Sequence, residues 1–251
     1  MVDVQYKERP FIVSGADALH LDDEQRRLLV FVYSAIRYGD VASILSVLNT
    51  SAVNITIPDV SGQSLLHMAA MYGQAEIAEV LIQRGALLNA RNQNGNTPLH
   101  WAVKYRQPEC IKLLLKYNVN PNIRNQYGLT ALHLACKQGN IEVITWLLGS
   151  GANVAAKDAR GRTPLHLSIE QGSLVCVQYL MLHDADVNAP DIQGNTPVHY
   201  AVAMHKLELV RHLFENKASF FQKNRSGHDA TEFAASDAIK IYLREMGITK
   251  H

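Results

Sequence analysis

Gly95-Asn96-Thr97-Pro98-Leu99-His100-Trp101-Ala102 decides the fold, because the chain writes it again at a fixed interval. Thirty-three residues on stands Gly128-Leu129-Thr130-Ala131-Leu132-His133, and thirty-three further Gly161-Arg162-Thr163-Pro164-Leu165-His166. Upstream at that interval is Gly62-Gln63-Ser64-Leu65-Leu66-His67. Downstream are Gly194-Asn195-Thr196-Pro197-Val198-His199 and a worn copy, Gly227-His228-Asp229-Ala230. Six glycines at one spacing make a repeat. A repeat of this length is a supersecondary unit that buries its apolar side against the next, not part of a globule around one centre.

Each unit reads as a turn, a short helix, a second helix and a hairpin. Thr97 can cap the first helix and Pro98 occupies its first position, where no N–H is needed. Leu99 and Ala102 then point inward. The second helix carries its stripe at Ile111, Leu114 and Leu115 and closes at a residue suited to positive φ: Gly85, Gly151, Asn118 or Asp184. These periods divide the chain into repeats 59–91, 92–124, 125–157, 158–190 and 191–223. Before them, residues 21–58 hold a helix pair without the Thr-Pro-Leu-His signature, as a capping unit would. After them, residues 224–251 form a more charged C-terminal cap. Residues 1–20, with Pro10, Ser14 and Gly15, read as an arm.

Gly-x-Thr-Pro-Leu-His-x-Ala at this period, closed by Gly85-Ala86-Leu87-Leu88-Asn89-Ala90, resembles the ankyrin repeat. The resemblance covers residues 28–245. It implies an all-α, right-handed solenoid of antiparallel helix pairs with projecting hairpin fingers, and a concave groove made of fingers and first helices. It also implies a non-enzymatic scaffold that binds a protein or peptide there and carries no cofactor. The chain departs from the pattern where Arg106 and His205 replace the glycine between helices, present elsewhere as Gly73, Gly139 and Gly172. Altered turns are expected at those two places.

Composition narrows the classes further. A net charge of +1 over 251 residues argues against binding nucleic acid through bulk charge. Three cysteines, Cys110, Cys136 and Cys176, suit structural thiols in a reducing compartment. No run is apolar enough for a membrane span and no leader pattern opens the chain, so the reading is a monomer of the cytoplasm, nucleus or a host-cell cytosol.

Five histidines, His67, His100, His133, His166 and His199, share one repeat position. Equivalent atoms in neighbouring repeats should lie about 8–10 Å apart, too far to share a metal whose ligands sit at about 2 Å. They read as structural hydrogen-bonders, and the metal and catalytic sites as none. The cysteines have no repeating His-and-acid partner and read as buried. Gly149-Ser150-Gly151, the one tight glycine cluster, closes a helix and does not cradle a phosphate.

The residues placed on the partner-binding surface are Tyr72, Gln93, Asn94, Asn96, Trp101, Lys104, Tyr105, Arg124, Gln126, Tyr127, Lys137, Lys157, Arg160 and Arg162. Tyrosines are favoured anchors because they bury much area at low rotamer cost, and Tyr72, Tyr105 and Tyr127 are expected to be exposed. Trp101 reads equally as core or surface. The unit-closing residues Arg91, Arg124, Lys157 and Lys223 form a cationic row, interrupted by Pro190. Either it is a solvated finger row, or it meets an acidic or phosphorylated segment, with no nucleic acid and no small-molecule substrate. Asn188 stands in a context similar to ankyrin hairpin asparagines that are hydroxylated in animal cells. Two other roles fit the same surface: the inhibitory or targeting subunit of an enzyme, and a bacterial effector that binds host proteins.

Overall fold

The computed structural model describes residues 23–50 and 54–248. The arm at 1–20, the first residues of the N-terminal cap and the last three residues lie outside this range. The chain forms two compact units, Met1–Gln126 and Tyr127–His251. The first contains α1 (Asp23–Tyr38), α2 (Val41–Thr50), α3 (Leu65–Tyr72), α4 (Ala75–Gln83), α5 (Pro98–Lys104) and α6 (Pro108–Lys116). The second contains α7 (Ala131–Gln138), α8 (Ile141–Gly149), α9 (Pro164–Gln171), α10 (Leu174–Leu182), α11 (Pro197–Ala203), α12 (Leu207–Glu215), a 3-10 turn (Ala230–Phe233) and α13 (Asp237–Glu245). In the first unit α1, α3 and α5 make an inner row and α2, α4 and α6 an outer row, each helix packing on its pair partner and on the next in its row. In the second, α7, α9, α11 and the 3-10 turn line up inside, while α8 packs on α10 and α12 on α13 outside.

Helices of seven to nine residues do not hold themselves in water, so caps and packing must supply what length does not. The packing comes from Leu65, Leu81, Leu99, Ile111 and Leu114, all essentially buried, at about 1.5–3 kcal/mol each. The caps come from the signature. Thr97 N–H donates to His100 Nδ1 at 3.2 Å, while the Thr97 hydroxyl takes the His100 N–H at 3.5 Å. The same box closes at Ser64–His67, Thr130–His133, Thr163–His166 and Thr196–His199.

A ring nitrogen that accepts at Nδ1 leaves its proton on Nε2. That proton is donated one repeat onward: His67 to the Asn96 carbonyl at 2.9 Å, His133 to Arg162 at 3.1 Å, His166 to Asn195 at 3.3 Å and His199 to His228 at 3.4 Å. These four histidines are the structural hydrogen-bonders the sequence reading expected, and each also ties a helix start to the next finger, which that reading did not foresee. Burial pushes the His67 and His166 rings down to about 4 and lowers His199 too. They stand neutral near pH 7, the only state that both accepts and donates.

The expected disturbance at Arg106 and His205 is slight: the helices before them end one residue sooner, at Lys104 and Ala203, than those closed by glycine. Arg106 takes φ 57° and His205 φ 58°, the left-handed conformation that Gly73, Gly139 and Gly172 adopt. Their turns close alike: Gln107 N–H reaches Ala102 O at 2.9 Å and Lys206 N–H reaches Ala201 O at 3.1 Å, as Gln74 N–H reaches Ala69 O at 2.9 Å. Tertiary packing holds the turn, and a Cβ in this conformation costs roughly 1 kcal/mol. Gly85, Gly151, Asn118 and Asp184 keep the positive φ read for them, and Lys217 joins them unforeseen at 63°. Arg106→Gly and His205→Gly should each stabilise the fold by about 0.5 kcal/mol after the added entropy of an unfolded glycine, seen as a higher urea midpoint. A lower midpoint in both would show that the side chains, not the backbone, matter at these turns.

Candidate interaction surface

The fingers rest on an Asp or Asn whose side-chain oxygen takes two backbone N–H groups at once, as three of them show. Asp158 Oδ1 accepts from Arg160 at 2.8 Å and Arg162 at 2.9 Å; Asp191 serves Gln193 and Asn195, and Asn92 serves Asn94 and Asn96. Such side-chain acceptors fix a tight turn without a strand ladder. Successive fingers are then joined by backbone. In the first unit Gln93 N–H donates to Ser61 O at 3.0 Å and Gln126 N–H to Asn94 O at 2.9 Å. In the second, Ala159 N–H donates to Tyr127 O at 2.8 Å, Ile192 to Arg160 O at 2.9 Å and Arg225 to Gln193 O at 2.8 Å. The tips are exposed and held in place at the same time.

The ankyrin-repeat family model matches residues 32–125, 66–158 and 132–225. Among solved structures, the chain is similar to one titled "Crystal structure of the ankyrin repeat domain of Bcl-3: a unique member of the IkappaB protein family". That likeness has a TM-score of 0.76 at 30% identity, over 85% of this chain and 97% of the other. The chain belongs to the ankyrin-repeat family. No curated protein sequence matches it. The ankyrin fold is in general a protein-interaction module, and the fingers and inner helices are where side chains remain available here.

The structure sorts the sequence-predicted residues into three groups. Gln93, Lys104, Arg124, Gln126, Tyr127, Lys137, Lys157 and Arg160 are exposed, Tyr127 at 60%. Tyr72, Asn94 and Asn96 are half-buried, and two of these are structural. Asn96 gives its carbonyl to His67 and its side-chain oxygen to Asn125 Nδ2 at 2.8 Å. Asn94 Oδ1 takes Gln126 Nε2 at 3.0 Å.

The third group is turned inward or held in ion pairs, and for these ankyrin positions the reading is corrected. Trp101 is core at 3% exposure, its ring edge-on to His67 at 6.1 Å. Tyr105, expected outside, is 8% exposed and packs 5.5 Å from the Trp101 ring. Arg162 is not a groove cation. Its guanidinium spans Asp158 at 2.8 Å and Glu170 at 2.9 Å with only 16% of its side chain exposed. Asp158 and Asp191 are finger supports.

The cationic row is also partly spoken for. Arg91 donates to the Arg124 carbonyl at 2.9 Å and Lys157 to the Pro190 carbonyl at 3.1 Å, each one repeat on. Asn188 holds the following hairpin, its Oδ1 accepting Ser219 N–H at 2.7 Å.

Two features were missed. Ile192, at a fingertip, is 50% exposed, at the position where other fingers carry Val60, Gln93, Gln126, Ala159 and Arg225. Beside its finger lies a hollow of about 250 Å³ lined by Gln193, Asn195, His199, Tyr200, Ala203, Met204 and Phe233. Its aromatic walls are set edge-on: His166–Tyr200 at 5.1 Å and His199–Phe233 at 5.9 Å. Tyr200 is steadied by donating to Asp191 Oδ2 at 2.7 Å. The one signal in the sequence was Tyr200 and Phe233 standing where Leu134 and Leu167 stand in earlier repeats.

Among the described residues no three His, Cys, Asp or Glu side chains converge as a metal site would require. Nor is any helix long and apolar enough to cross a membrane. Burial raises Cys110 and Cys136 to about 12 and raises Cys176 as well, so all three are thiols without thiolate character near pH 7.

Proposed function

We propose that the inner surface of the second unit binds an extended segment of a partner protein. The segment seats one apolar side chain in the hollow at Tyr200, Met204 and Phe233 and sets acidic or phosphorylated groups against Lys137, Lys157 and Arg160. The observation that carries this reading is the hollow itself, a depression with Tyr200, Ala203, Met204 and Phe233 in its wall beside fingertips fixed by backbone hydrogen bonds. Pre-fixed contact groups lose little freedom on binding, which is where a rigid repeat gains affinity. In the first unit Gln93, Lys104 and Gln126 are the corresponding contact residues. Exposed Tyr127 and Ile192 supply rim area for the chain on either side of the anchor.

The test uses peptides selected from a displayed random library on the wild-type protein. Against Met204→Asp, which puts charge in the hollow, the selected peptides should weaken by about 2 kcal/mol or more, the scale of a lost anchor. Against Lys157→Glu with Arg160→Glu they should associate more slowly and with a flatter salt dependence. Equal binding to both variants would remove this surface from consideration.

A further inference from the structure

The outer helix α10 differs from every other outer helix of the five repeats in carrying no charged residue: Leu174-Val175-Cys176-Val177-Gln178-Tyr179-Leu180-Met181-Leu182. Cys176, Val177 and Leu180 face the core. On the opposite side Val175 is 59% and Leu182 79% exposed, with Tyr179 half-buried between them. These three lie at i, i+4 and i+7, one line about 10 Å long on the helix surface.

The repeat makes this departure specific. The position of Val175 holds Glu76, Glu109, Glu142 and Glu208 in the other four repeats, and the position of Leu182 holds Gln83, Lys116, Gly149 and Glu215. One repeat has exchanged its glutamate and its end-of-helix polar or small residue for apolar side chains that stay in water. A single exposed leucine is ordinary, whereas a contiguous apolar line is a contact surface.

The first unit shows what the trough between successive outer helices looks like. Between α4 and α6 it is an open channel of about 560 Å³ lined by Glu76, Glu79, Glu109, Lys112, Leu113 and Lys116. In the second unit α8 packs on α10. There the same positions are Glu142, Thr145, Val175, Gln178, Tyr179 and Leu182. The floor has become apolar and one charge is left.

We propose that this trough docks an amphipathic helix of a partner protein, its apolar stripe laid along Val175, Tyr179 and Leu182 and its flanks carrying Lys or Arg. Charge selects that occupant. Glu142 and Glu208, both exposed, stand at the Val175 position one repeat before and after, so carboxylates bracket the line. Of the nearby cations, Arg211 lies over the Tyr242 ring at 5.1 Å, and the Lys206 chain runs toward Gly172. A second copy of this chain is disfavoured, because an isologous pair would set the carboxylate rims against each other. The docked stripe follows the usual helix-in-groove spacing.

The test measures fluorescence anisotropy of labelled helical peptides on the full chain. The peptides are a leucine stripe flanked by lysine, the same stripe flanked by glutamate, and a scramble of the lysine peptide. The variant is Val175→Glu with Leu182→Lys, which gives α10 the residues α6 carries, at exposed positions where the thermal melt should not change. The lysine peptide should bind best, and the variant should weaken it about tenfold or more, while Met204→Asp leaves it unchanged. The proposal is overturned if the variant binds the lysine peptide as the wild type does, or if the scramble or the glutamate peptide binds equally well. It is overturned as well if the wild type sediments as a dimer that the variant dissolves.

Discussion

Lowering the pH from 7 to 4 should strip the protein of much of its resistance to urea, with the loss concentrated between pH 6.5 and about 4. His67 in the first unit and His166 in the second are each held near 4 by burial, and His199 is lowered in the same direction. Their folded values lie below the unfolded value of about 6.5, so the unfolded chain takes up protons first as the pH falls. The stability they represent is therefore complete above pH 6.5 and is lost on the way down to about 4.

A displacement of that size corresponds to about 3 kcal/mol for each of the two best-buried rings. Against a total stability on the order of 5–15 kcal/mol, two such rings decide the outcome. Asp59 opposes the trend, because burial raises its carboxyl and protonating it relieves the folded state, but it is one group against several. Urea midpoints at unit pH intervals measure the effect. His166→Gln, which keeps polar capacity without a titrating ring, should flatten the slope by about one proton. A midpoint that does not move between pH 7 and 4 would mean the rings charge without cost, and the acceptor assignments at Nδ1 would be wrong.

Those same rings show why the fold was open to reading and the surface only partly so. A period of thirty-three residues repeats every physical requirement at once: the Thr cap, the Pro that needs no partner, and the His that joins two units. Each copy checks the others, so the helices and caps could be located before any coordinate was known. Side-chain direction at a helix end is not checked in that way. Tyr105 and Tyr127 look alike in sequence; one lies at the cap of a seven-residue helix and folds inward, the other rides a fingertip. Arg162 reads as one more cation in a row until Asp158 and Glu170, four and eight residues away, close on it. The Ile192 tip and the Tyr200–Phe233 hollow arise where a variable position meets a neighbour one repeat on, and periodicity is silent about such pairings.

Gly161→Ala should cost about 3 kcal/mol, whereas Gly151→Ala should cost about 1 kcal/mol, although both glycines have positive φ, 76° and 82°. The conformational penalty of a Cβ is common to the two and accounts for the smaller figure. What differs is room. A Cβ at Gly151 meets nothing within 4 Å, and the equivalent positions tolerate Asn118, Asp184 and Lys217 at φ 54°, 64° and 63°. A Cβ at Gly161 would stand 2.7 Å from the Ile192 backbone nitrogen and 3.1 Å from the Asp191 carbonyl carbon, neither of which is the end of a flexible side chain. To make space, the finger at Asp191 must move away and give up the hydrogen bond from Ile192 to the Arg160 carbonyl. The same close approach to the next finger's backbone nitrogen, at 3.0 Å, accounts for glycine at Gly62, Gly95 and Gly194, while the helix-closing position accepts substitutes. Urea unfolding of the two variants side by side gives the comparison, and equal losses would refute the close-approach argument. Because Arg160 and Ile192 flank the proposed groove, Gly161→Ala should also weaken the selected peptides under conditions where the protein is still folded. Gly151→Ala, on the far side of the hairpin from that bond, should leave their affinity unchanged.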